Sequence, residues 1–325
     1  MNKHTGRSPD SLQPAFSPRR LRVWNTKTQA AICDLNFVTA ILSIQMNRQR
    51  LVVVLEKKIY IFDLNTVQIL ETLDTAPNPR GMGCLSPSAN GFFAFPSGAA
   101  PGELLLYDTT NLSVLNALQA HKASIMALTF NAEGTLLATA SETGTLLRVF
   151  AVPTGEKKWT FRRGTYAAEV YSLAFNATST ILCASSATGT IHVFSLTGDT
   201  SSATGSFGQV TGLVGAVPPA SAQAASAYLP PALTDLVDGA RDFAYARLRS
   251  SGVPNLCAIH GPKPGETQAA LLVATIDGYF YQYALDTSIG GECRLERENV
   301  LRDTTSEEIG ATYLSTTEPV ANSTT

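Results

Sequence analysis

Leu136-Leu-Ala-Thr-Ala-Ser-Glu-Thr-Gly-Thr-Leu-Leu-Arg-Val-Phe150 and Ile181-Leu-Cys-Ala-Ser-Ser-Ala-Thr-Gly-Thr-Ile-His-Val-Phe194 are two copies of one pattern, about 45 residues apart. Each copy is an apolar run, a turn built on Thr-Gly, and a second apolar run closing on phenylalanine. Val, Ile, Leu and Thr fill the runs while Gly, Asn and Asp fill the gaps, as strands and turns require.

The rhythm extends along the chain. Leu51–Leu55 is followed by Ile59–Asp63, Gly91–Phe95 by Leu104–Asp108, and Leu271–Thr275 by Tyr279–Tyr283. The aromatic closers recur at a near-constant interval, broken only where a long insertion follows Phe194. Helix signals are nearly absent. Repeats of this period with four short strands each are the mark of a β-propeller, whereas a β-sandwich has no reason to repeat so. The expected fold is all-β, a WD40-like propeller with about five full four-stranded blades between Phe37 and Val300 and a partial one over Leu21–Phe37. Residues 1–20 read as a disordered lead, 21–300 as the propeller with its inserted loop at 197–240, and 301–325 as a Ser/Thr-rich disordered tail.

Composition narrows the function. Of 325 residues, 44% are hydrophobic and 15% charged, so a sizeable core is expected. The formal net charge of −2 gives no overall basic balance for nucleic acid, so any anion site must be a local patch. The five cysteines (Cys33, Cys84, Cys183, Cys257, Cys293) are scattered and form no Cys-x-x-Cys pair, which reads as reduced core thiols with neither a disulfide frame nor a metal site. The polar N-terminus lacks the apolar run of a signal peptide, and no apolar run is long enough to span a bilayer. A dinucleotide fingerprint, a P-loop, a zinc-protease helix and a nucleophile elbow are all missing, so neither catalysis nor a cofactor is expected.

The stretch that suggests chemistry is Phe161-Arg162-Arg163-Gly164, two adjacent arginines between predicted strands at 158–161 and 170–175. In an extended segment neighbours point to opposite faces, so the pair can serve two sites, one on each side. A guanidinium is a rigid fork of donors suited to phosphate. The plainer alternative is a solvated surface pair.

Ala120-His121-Lys122, Asn131–Gly134, Ala138–Ser141, Gly144–Phe150 and Phe161–Gly164 fall in the order and spacing of the PROPPIN family, the autophagy-related WD-repeat propellers that bind phosphoinositides. The similarity continues through Val170–Phe175, Gly189–Phe194 and Gly290–Cys293. The resemblance implies seven blades, of which this chain matches the last five and the closing strands of the second; a truncated form is expected, a smaller closed ring being the alternative. It implies two lipid pockets on an exposed rim, flanking the arginines. The upstream pocket would hold His121, Ser141, Thr143, Thr145, Arg148 and Arg162. The downstream one would hold Arg163, Ser172, Ser186, Thr188, Thr190 and His192. Taken singly, the threonines suit ordinary strands, the serines can bond turn backbone, and a histidine in an apolar strand is commonly packed.

The insertion carries no charge from Thr200 to Thr234, yet Phe207, Val210, Leu213, Val214, Val217, Tyr228 and Leu229 are spread through it. Such a loop beside a phosphate-binding rim suits shallow entry into a bilayer, and the resemblance implies a membrane-inserting loop here, between the third and fourth strands of its blade. The expected ligands are phosphatidylinositol 3-phosphate and/or 3,5-bisphosphate. The expected partners are autophagy proteins, including a lipid-transfer protein docked on the second and third blades. Location would be cytoplasmic, with recruitment to preautophagosomal, endosomal or vacuolar/lysosomal membranes. The rival reading is a propeller used only as a protein-interaction scaffold.

Overall fold

The apolar runs form strands that are buried on both faces. In β4 (Arg50–Val54), Leu51 and Val53 cluster with Phe37, Leu55 and Phe62, whereas Val52 and Val54 cluster with Ile59, Ile61, Phe93 and Phe95. Side chains alternate across a strand, so a run without a polar alternate needs apolar cover on each side. Outer strands differ: β6 (Ile69–Asp74) and β10 (Ser113–Gln119) are exposed along most of their length.

The structure, a computed structural model, describes residues 17–197, 239–263 and 265–301. The chain divides into two compact units, Met1–Thr160 and Phe161–Thr325. In the first, β1 (Arg20–Asn25) and β2 (Ala30–Asn36) form a two-stranded antiparallel sheet. Next come β3 (Ser43–Met46), β4, β5 (Lys58–Asp63) and β6 as one four-stranded sheet, each strand beside the next. The following sheet joins β7 (Cys84–Leu85), β8 (Phe92–Pro96), β9 (Glu103–Asp108) and β10. The third holds β11 (Ile125–Phe130), β12 (Leu136–Ser141), β13 (Leu146–Ala151) and β14 (Lys157–Arg162), whose last two residues begin the second unit.

In the second unit, β15 (Val170–Phe175), β16 (Ile181–Ser186), β17 (Thr190–Ser195) and β18 (Ala244–Arg247) form one sheet. The other contains β19 (Asn255–His260), β20 (Gln268–Thr275), β21 (Tyr279–Asp286) and β23 (Arg294–Val300). The arrangement is five blades and a partial one, as the repeat predicts. One blade departs from four strands. The short β22 (Gly291–Glu292) leaves the last blade between β21 and β23 and pairs in parallel with β18, Ala244 opposite Gly291 and Tyr245 opposite Glu292. The Gly290-Gly-Glu-Cys293 stretch is therefore an inter-blade clip.

Blades pack face to face within each unit. Ala94, Leu104 and Leu106 meet Phe130, Leu137 and Phe150 in the first. Ile181, Ile191 and Val193 meet Cys257, Ile259, Leu271 and Val273 in the second.

Phe93 is wholly buried and stacks on Phe95 at 5.5 Å between ring centres. Phe93→Ala is expected to cost about 3–5 kcal/mol, read as a lower urea midpoint.

Candidate functional site

β14 ends at Arg162, whose N–H donates to Ala240 O at 2.9 Å, and Phe161 and Ala240 form a short parallel bridge. The Phe161 ring lies 4.8 Å from that of Phe194, and both are buried. The arginines are not on an exposed rim: Arg162 is 8% and Arg163 5% exposed. For the first, the chain at Gly239 and Ala240 runs close against the Arg162 backbone and Cβ. For the second, Arg163 Nη2 donates to Tyr166 O at 2.9 Å and to Ala168 O at 3.5 Å, which folds the side chain under the 164–169 loop. Burial lowers the Arg163 pKa, but arginine starts so high that it stays cationic. Arg163 lies beyond the strand end, so its direction is set by those carbonyls and not by the strand pleat.

The repeated turns give the same geometry twice. Gly144 N–H donates to Ser141 O at 2.8 Å, and Gly189 N–H to Ser186 O at 3.1 Å. Both glycines have positive φ, 59° and 74°, where a side chain would be strained. Ser141 Oγ lies 2.9 Å from Thr143 Oγ1, and Ser186 Oγ lies 2.9 Å from Thr188 Oγ1. Each turn thus presents an exposed threonine hydroxyl backed by a buried serine.

The upstream set divides between the units, with His121, Ser141, Thr143, Thr145 and Arg148 in the first and Arg162 in the second. His121 is buried at 4% exposure, and both its nitrogens are engaged. Arg148 Nη1 can only donate, so His121 Nδ1 accepts from it at 3.3 Å. The ring proton therefore sits on Nε2 and points to Thr139 Oγ1 at 3.0 Å, and Thr139 Oγ1 donates to Arg148 O at 3.2 Å. Burial first, and then the Arg148 charge, push the His121 pKa down to about 4. His121 is a neutral support for Arg148 and not a cationic ligand. Thr139, which completes this chain of bonds, was not apparent from the sequence; its position opposite Arg148 on the paired strand was the available clue.

The downstream set lies wholly in the second unit. Thr190 and His192 alternate with buried Ile191 and Val193, so they share the half-buried face of β17. Ser172 Oγ accepts from Cys257 N–H at 3.3 Å, which commits it to joining β15 with β19. His192 Nδ1 lies 3.0 Å from Asp242 Oδ2. A carboxylate accepts, so Nδ1 carries the proton; Nε2 can then donate to an anion only when the ring is cationic. Asp242, which pairs with His192 across 50 residues, was not apparent from the sequence.

The insertion separates two strands of one blade, because β17 and β18 pair antiparallel with His192 opposite Tyr245. Ala240, its last residue, is the one bonded to Arg162. The insertion thus returns beside the arginine pair. Phe207, Leu213, Val214, Val217, Tyr228 and Leu229 lie outside the described residues. A cavity of about 450 Å³ opens near the insertion's ends, lined by Ser195, Thr197, Phe243 and Ile289 among others, with no charged residue and none of the predicted lipid residues. Among the described residues no helix is long and apolar enough to cross a membrane, and no group of three or more side chains is placed to hold a metal.

A profile of the PROPPIN family matches residues 12–301. The chain belongs to the PROPPIN family. Autophagy-related protein 18 of Mycosarcoma maydis is 38% identical, covering 88% of this chain and 78% of the relative. Autophagy-related protein 18 of Dictyostelium discoideum is 40% identical over 87% of this chain and 76% of the relative. The mouse (Mus musculus) WD repeat domain phosphoinositide-interacting protein 2 is 38% identical, over 90% and 65%. Among solved structures, a complex of KlAtg21 with the coiled coil of AgAtg16 superposes with TM-score 0.65 at 24% identity, covering 89% of this chain and 79% of that one. Kluyveromyces lactis Hsv2 gives 0.63 at 18%, over 87% and 81%. These likenesses establish the propeller fold for this PROPPIN, and the family is one of non-enzymatic propellers.

His121 makes folding pH-dependent. Its folded pKa of about 4 lies below its ordinary 6.5, so the unfolded chain binds more protons as pH falls. The contribution is complete above about pH 6.5 and lost on the way down to about pH 4, up to roughly 3 kcal/mol. Urea midpoints of the parent should fall across that window, and His121→Asn should flatten the slope.

Proposed function

We propose that this PROPPIN is a phosphoinositide-binding peripheral membrane scaffold acting in autophagy. It takes the headgroup of phosphatidylinositol 3-phosphate and/or 3,5-bisphosphate through Arg162 and Arg163 and the hydroxyls of Thr188 and Thr190 in the same unit. The observation that carries the reading is the arginine pair itself, held in place by backbone partners in the unit that also contains Thr188, Thr190 and His192. A fixed cation loses little freedom on binding phosphate. The names of the relatives support the same ligand class and the same process.

The insertion supplies the second signal. Its last residue, Ala240, is bonded to Arg162, so the end of the insertion lies beside that arginine. One headgroup contact is worth about 4–8 kcal/mol, and a second on the same surface multiplies affinity by about 10²–10⁴. Stable anchoring takes two signals, and apolar side chains of the insertion add roughly 1.5–3 kcal/mol each at most. The scaffold would work at preautophagosomal, endosomal or vacuolar/lysosomal membranes. A protein-docking role beside lipid binding is favoured by exposed Trp24, Ile32, Ile44 and Met46 on β1–β3 of the first unit, a surface suited to an autophagy partner such as a lipid-transfer protein.

Flotation with vesicles containing either phosphoinositide tests the site. Replacing Arg162 and Arg163 with Thr should abolish flotation, but both are buried, so thermal melting must accompany it. The Arg162→Lys/Arg163→Lys pair keeps the charge and loses the forks, and should weaken flotation at least tenfold while staying folded. A folded variant of either kind that floats like the parent would leave only the scaffold role.

Replacing Phe207, Leu213 and Val214 with Asp separates the two signals. Vesicle affinity should fall while binding of a soluble inositol phosphate, measured by calorimetry, stays unchanged.

A further inference from the structure

The last two blades bring together two thiols that are 74 residues apart, Cys183 on β16 and Cys257 on β19, with their sulfurs 3.5 Å from each other. We propose that Cys183 and Cys257 are a redox modification site, closing to a disulfide that fastens β16 to β19 when the folded protein meets a peroxide. A disulfide requires about 2.05 Å between sulfurs, so each must move only about 0.7 Å toward the other. All five cysteines are free thiols in the structure.

The surroundings single out this pair. Cys183 is wholly buried and its S–H faces Ala174 O at 3.4 Å and Cys257 Sγ at 3.5 Å. Cys257 is 5% exposed, and its N–H donates to Ser172 Oγ. Ser185 Oγ is buried with no hydrogen-bond partner among the described residues. The bond from Cys183 lowers the Cys257 thiol from its ordinary value and raises Cys183; the Ser172 hydroxyl lowers Cys257 further, against the effect of burial. Elsewhere burial pushes Cys84 up to about 11, and burial with the Glu292 charge does the same to Cys293, which keeps them as unreactive thiols.

The chemistry balances with hydrogen peroxide as oxidant. The Cys257 thiolate attacks one peroxide oxygen, the O–O bond breaks, and the departing hydroxide takes up the thiol proton as water. Cys257 is then a sulfenic acid. Cys183 sulfur attacks that sulfur, an S–S bond forms, and the S–O bond breaks; hydroxide leaves and takes the Cys183 proton as a second water. Two thiols are oxidised by two electrons and one peroxide is reduced to two waters. Cys183 is already in contact, so the sulfenic acid is captured before further oxidation.

The experiment uses the full chain. It is treated with hydrogen peroxide under native conditions, remaining thiols are blocked, and the unreduced digest is mapped by mass spectrometry. The expected product is one cross-linked pair of peptides carrying Cys183 and Cys257, two hydrogens lighter than their sum and released by dithiothreitol. Closing so long a loop should also raise the melting temperature by roughly 5–10 °C, reversibly. Cys257→Ser should abolish the cross-link and the shift. Finding no link in the folded chain, a link only after urea unfolding, or Cys257 carried on to sulfinic acid would each overturn the proposal. The reading is independent of lipid binding and survives or falls without it.

Discussion

A sheet whose central strands are apolar on both faces has nowhere to hide them alone. β4 divides its run between two clusters, and β16 is buried at every residue, so each blade depends on a neighbour for half of its cover. The outer strands carry the opposite pattern and meet water. That demand explains the repeat: one blade presents the surface that the next must match, and a chain built this way keeps its period. It also explains where function can be placed. Strand interiors are committed to packing, which leaves turns, strand ends and insertions for binding.

The arginine pair shows the effect of setting charge into such a frame. Burying a cation is unfavourable unless hydrogen bonds replace its water. Arg163 meets this with the carbonyls of Tyr166 and Ala168. The loop that satisfies it also restricts it, so the guanidinium is held in one place. His121 is the neutral version of the same solution: it accepts from Arg148 and passes its proton toward Thr139, stiffening a neighbouring cation at no cost in charge.

The blades were legible because strand periodicity and aromatic closers are local properties, printed in each repeat. Thr190 and His192 were legible for the same reason, since alternation places them on one face. The burial of Arg162 and Arg163 was not, because it depends on Ala240, which returns after a long insertion, and on the conformation of the loop beyond the pair. Asp242 beside His192, Ser172 beside Cys257, and the β22 clip on β18 are likewise pairings across 50, 85 and nearly 50 residues, and no local pattern announces them. Sequence spacing described the cysteines as scattered. The fold makes two of them neighbours.

The clip on β18 has a mechanical consequence. β17 and β18 run antiparallel, so both chain ends of the insertion emerge at the same end of the sheet. Tension applied to the insertion is therefore directed along the strand axes. Interstrand hydrogen bonds then resist sliding together, in shear, and do not open one after another as in peeling. β17 is gripped by β16 and β18, and β18 by β17 and β22. Without β22 the second strand would be held on one side only and would yield first. With it, a pull on that one blade is shared with the last blade before the sheet unravels.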